Sequence, residues 1–74
     1  MNSDFYVRLG KNIKARRKKL GLTQQQLADK MDISLNFMGK IEVAFSKPSL
    51  DTLISFATAL DTTVSELTDF DNEI

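Results

Sequence analysis

A chain of 74 residues is expected to hold one domain, spanning 1–74 with a core of about 5–69, and to lack a separate sensor or catalytic domain. It has no cysteine and no histidine, which excludes disulfides, thiol chemistry, the commonest metal ligands and the side chain that titrates unperturbed near neutral pH. The net charge of zero hides a division: ten bases against four acids from Met1 to Lys47, then six acids and no base from Pro48 to Ile74, so the first part suits a polyanion and the second should face away from it.

Phe5, Leu9, Ile13 and Leu20 define the apolar face of a first helix, with Arg8, Lys11, Lys14, Arg16, Lys18 and Lys19 mostly elsewhere. Taken alone, the run KNIKARRKK reads as a solvated cationic face. Gly21 followed by Leu22 is the sequence form of a Schellman stop. Thr23 with Gln26 makes a capping box for a second helix to Met31, on which Leu27, Ala28 and Met31 share a face. Asp32 tolerates a left-handed turn better than most residues, and Ser34 caps a third helix whose Met38 and Ile41 face inward. Two helices joined by so short a turn cross steeply, which leaves one face of the third helix free to meet a partner. Gly39 then permits close approach, either of the second and third helices or of a partner's backbone.

Phe45 follows in a surface loop, where it either tucks against the next helix or contributes to a dimer contact. Pro48 closes the loop and Ser49 caps a fourth helix, Leu50 to Leu60, with Leu50, Leu53, Phe56, Ala57 and Leu60 directed inward. Thr63 and Glu66 form another capping box for a short fifth helix to about Asp69, anchored by Val64 and Leu67. Residues 70–74 read as a loose acidic tail. The fold class is therefore all-α with five helices. No apolar run approaches membrane-spanning length and the N-terminus lacks a signal-peptide core, so a cytoplasmic location is expected.

The segment LGLTQQQLADKMDIS, the Ile41-Glu42 pair, Pro48-Ser49-Leu50 and Ala59-Leu60 together resemble the helix-turn-helix family of phage repressors and Cro proteins, the Xre type. The resemblance runs from about Leu9 to Leu67 and implies a compact five-helix domain like that of lambda repressor, with the motif formed by helices 2 and 3. It also implies an internal ion pair between Arg17 and Glu42. The chain departs from the family at Ala44, where glycine is usual, so the third helix should end differently or run on.

In such docking the third helix enters the major groove, and its first residues meet base edges. Leu35, Asn36, Phe37 and Lys40 are the candidates: Asn36 matches the donor and acceptor edge of adenine, Lys40 a guanine or else a phosphate, and Leu35 a thymine methyl. Phe37 serves equally well as packing. Phosphate contacts fall to Gln24, the position the family resemblance marks most firmly, with Gln25, Ser34, Lys47, Lys14 and Arg16 as further candidates. The expected function is sequence-specific transcriptional regulation by a homodimer on a palindromic stretch of double-stranded DNA, with Phe45, Ile54, Leu67 and Phe70 at the dimer interface. Neither a cofactor, a metal, a small-molecule ligand nor an enzymatic activity is expected. The competing reading is a protein-interaction module of the same fold that reads no DNA.

Overall fold

Hydroxyl caps and left-handed stops divide the chain into helices. The computed structural model describes residues 2–70, which form α1 (Asn2–Lys19), α2 (Gln24–Met31), α3 (Leu35–Glu42), α4 (Leu50–Ala59) and α5 (Val64–Leu67). Thr23, Ser34, Ser49 and Thr63 each accept, through the side-chain oxygen, the amide of the residue three positions on. Each cap satisfies a donor that the helix itself leaves without an acceptor. The box at α2 is complete, because Gln26 Oε1 also accepts the Thr23 amide at 2.8 Å. At α5 only half of the expected box forms: Glu66 turns instead to the Thr62 hydroxyl at 2.7 Å, and the helix ends at Leu67 rather than near Asp69.

The first four helices end in the same way. Gly21, Asp32, Ala44 and Asp61 all have φ between 54° and 73°. In each case that residue's amide and the next one turn back onto the helix, as Ala44 N–H does to Ile41 O at 3.1 Å and Phe45 N–H to Lys40 O at 2.7 Å. This is the Schellman arrangement. It corrects the expectation for α3, which neither runs on nor ends differently: Ala44 adopts the left-handed conformation that a glycine would take without steric cost.

The core joins all five helices through Leu9, Ile13, Leu27, Met38, Ile41, Phe56, Leu60 and Leu67, each at most 2% exposed. α1 packs on α3 and α5, α2 on α3 and α4, and α4 on α5. Three residues assigned inward by periodicity sit at the edge instead. Phe5 and Leu20 lie near the two ends of α1, and Leu50 is the first residue of α4, where burial begins one turn later at Leu53. No helix of the described residues is long and apolar enough to cross a membrane.

Gly10 is the glycine that the packing requires. A Cβ there would lie 2.5 Å from the Glu42 carbonyl oxygen and 2.8 Å from that of Ile41, so α1 and α3 meet backbone to backbone. Gly39 plays no such part within the chain, since an added Cβ would meet only the Gln24 amide at 4.0 Å.

Candidate nucleic-acid interface

α3 buries one side and exposes the other. Met38, Ile41 and Glu42 are inside, while Leu35 is 44% exposed and Asn36 is exposed beside it. Ser34 Oγ takes the Phe37 amide at 3.0 Å, and helical geometry leaves the amides of Leu35 and Asn36 without intrahelical acceptors. Phe37 is half-buried and packs against the core, so only part of its ring reaches the surface. Lys40 is also half-buried, with its ammonium 5.5 Å from the centroid of Phe45. That cation-π contact joins the two positions that usually make the apolar contact of a Schellman stop. It leaves Phe45 77% exposed, so the ring does not tuck against α4.

The start of α2 lies next to the end of α3. Gln24 Nε2 donates to Glu42 Oε1 at 2.9 Å. The same carboxylate accepts Arg17 Nε at 2.6 Å and Nη2 at 3.1 Å, and Arg17 Nη1 reaches back to the Leu22 carbonyl at 2.8 Å. Arg17 and Glu42 are only 6% and 5% exposed, so the carboxylate is neutralised and hydrogen-bonded where water does not reach it. The free first amides of α2, those of Gln24 and Gln25, then form a positive helix start next to the end of α3. Gln25 is exposed, and its side-chain amide donates to Asp29 at 2.8 Å.

Some of the cations lie beside α3 and others do not. Lys14 is exposed on the flank of α1 that carries Gly10 and Arg17 and meets α3, and Lys47 is exposed with its ammonium 5.4 Å from the Tyr6 ring. Arg16 is on the other side. Its Nε donates to the Leu60 carbonyl at 2.9 Å and its Nη2 to that of Asp61 at 2.8 Å, so it caps the α4 terminus. Lys19 shares a groove with Glu66 and Asp69 on this side, and Lys30 borders a shallow one with Ile54 and Thr58. The expectation that the cations gather on a single face therefore holds only for part of them.

The four interface candidates also separate. Phe45 and Ile54 are exposed, at 77% and 47%. Leu67 is 2% exposed and belongs to the core of its own chain, so it has no surface to offer a second copy. Phe70 is half-buried against Phe5, with ring centroids 5.4 Å apart, and is not part of a loose tail; residues 71–74 lie outside the described residues.

Comparison with known proteins places this geometry. A family model described as Helix-turn-helix matches residues 13–67. The immunity repressor protein of Bacillus phage phi105 is 44% identical over 59 residues, covering 80% of this chain and 41% of the repressor, so the chain spans about two fifths of that relative. Among solved structures, the restriction-modification controller protein C.AhdI from Aeromonas hydrophila is similar with a TM-score of 0.81 and 31% identity over 84% of this chain and 94% of the controller. An HTH_3 family transcriptional regulator from Vibrio cholerae gives a TM-score of 0.86 at 27% identity, covering 99% of this chain and 40% of that one.

Proposed function

The chain belongs to the helix-turn-helix family, and we propose that it acts as a DNA-binding transcriptional regulator that lays α3 in the major groove of a palindromic operator as a homodimer. The observation that carries this reading is the outward side of α3, where Leu35 and Asn36 at its start are left free by the chain's own packing, while the positive start of α2 lies against its other end. Asn36 is the reader of an adenine edge, Leu35 of a thymine methyl, and Lys40 of a guanine or a phosphate once it leaves the Phe45 ring. Gln24, Gln25 and Ser34 hold the sugar-phosphate backbone from the two helix starts, and Lys14 and Lys47 supply the counter-charge. Two or three base contacts per subunit, each worth about 1–3 kcal/mol of discrimination, give modest selectivity. A second copy doubles it. Its recognition helix would lie about 34 Å away, one turn of duplex, with the exposed apolar side chains of Ile54 and Phe45 as the joining surface.

Titration against random and library-selected duplex at several salt concentrations tests the reading. Binding should weaken steeply with salt, and selected fragments should carry a two-fold repeat. Asn36→Ala should relax preference at one base position while random-duplex affinity is nearly unchanged. The competing reading, a protein-interaction module, draws its support from Val43 and Phe45, exposed at 72% and 77% beside α3. Absent binding at low salt, or binding indifferent to salt, would decide for it.

A further inference from the structure

We propose that Glu42 is a positioning residue for DNA binding: it orients the Gln24 side chain before DNA arrives, so that the buried Arg17–Glu42 pair serves recognition as well as the fold. The inference rests on the reading of Gln24 as a phosphate contact. A glutamine amide can present either its oxygen or its nitrogen, and only the nitrogen is attractive to a phosphate. An ionised carboxylate accepts and does not donate, so the Glu42 contact at 2.9 Å fixes Nε2 toward it. The second hydrogen of the same nitrogen remains for an anion, next to the free first amides of α2. Fixing the amide in advance also removes rotamer freedom that binding would otherwise have to remove.

Arg17 makes this arrangement tolerable. A bare carboxylate next to a phosphate would repel it, whereas here Arg17 Nε at 2.6 Å and Nη2 at 3.1 Å neutralise Glu42 from the buried side. The guanidinium is itself fixed by the Leu22 carbonyl, one residue before the cap of α2. One network thus joins the end of α1, the start of α2 and the end of α3. It has little freedom, since Gly10 already brings the α1 backbone against the carbonyls of Ile41 and Glu42.

The test is a double-variant cycle on random-sequence duplex with the full chain, using Gln24→Ala, Glu42→Gln and the two combined, each confirmed folded by thermal melting. Gln24→Ala should weaken binding about tenfold, the scale of a hydrogen bond to a charged acceptor, without changing the salt slope, because an uncharged amide releases no counterion. Glu42→Gln removes a negative charge, so electrostatics alone predicts tighter binding. Positioning predicts the reverse: several-fold weaker binding when Gln24 is present, and no weakening when it is alanine. An equal effect of Glu42→Gln in both backgrounds overturns the proposal. If Glu42→Gln fails to fold, nitrogen-15 relaxation of the Gln24 side-chain amide in the unaltered protein decides, since an ordered amide supports the proposal and a freely rotating one overturns it. Unaltered protein that fails to bind duplex at low salt overturns the DNA reading and this inference together; binding without coupling overturns the inference alone.

Discussion

Arg16 and Arg17 are neighbours in sequence and have opposite roles. Successive helical residues point roughly 100° apart, so α1 turns one guanidinium toward α3 and the other toward the end of α4. On the α3 side the backbones touch at Gly10 and a charged pair is sealed inside, with Arg17 6% exposed. On the α4 side Arg16 is half-buried and meets two neutral carbonyls, with solvent still at hand. Burial thus decides what each arginine is worth. A sealed charge is costly to leave without its partner, whereas a capping one can be replaced by water.

The largest expected effect is on the sealed side. Arg17→Ala should destabilise the protein by about 3–5 kcal/mol, because Glu42 stays buried without its counter-ion. Stability for a chain of this size is itself only about 4–11 kcal/mol, so the urea midpoint should fall by a large fraction. Arg17→Met combined with Glu42→Leu should recover most of the loss, and a double variant as unstable as the single one would mean that shape rather than charge holds the junction. Gly10→Ala comes next, at about 1–3 kcal/mol. The added methyl meets backbone atoms of α3 and has no flexible side chain to displace.

These two positions also mark where the sequence was readable and where it was silent. Helix number, type and order were legible because caps, stops and apolar spacing agree at Thr23, Ser34, Ser49 and Gly21. The Arg17–Glu42 contact was accessible only through family resemblance, since a pairing across 25 positions leaves no periodic trace. Gly10 was missed altogether. It sits inside a strong helical pattern, and nothing local distinguishes a glycine needed for close approach from one that is merely tolerated. Of the site residues, exposure at Asn36 follows from the period of α3 with Met38 and Ile41 inward, whereas Leu35, three residues before Met38, shares the inward spacing and is 44% exposed as the first residue of the helix. The role of Arg16 does not follow, because its partners are carbonyls of Leu60 and Asp61, groups that every residue carries.

A pair of exchanges sharpens the contrast. Arg16→Met should cost about 1 kcal/mol by freeing the α4 carbonyls to water, and should leave the salt slope of DNA binding nearly intact. Lys14→Ala, on the α3 flank, should do the opposite. Its stability should change by less than about 0.5 kcal/mol, while the log-log salt slope falls by close to 0.9 for each copy bound. If Arg16→Met lowers the slope as much as Lys14→Ala does, the capping assignment is wrong and both sides of α1 face the phosphates.

The smallest effect distinguishes the stops that close the two sides. Ala44 follows the end of α3, and Asp61 supplies a carbonyl to Arg16; both hold positive φ, at 64° and 54°. For an alanine the left-handed conformation costs about 1–2 kcal/mol, part of which glycine returns through its greater freedom when unfolded. Ala44→Gly should therefore stabilise by about 0.5–1 kcal/mol, a rise in melting temperature of roughly 3–6 °C for a domain of this size. Asp61→Gly should gain less, because a short polar side chain tolerates the same region better. A larger gain at position 61 than at 44 would show that the aspartate there is strained by its place under Arg16, and that the α4 side of the molecule is the less relaxed of the two.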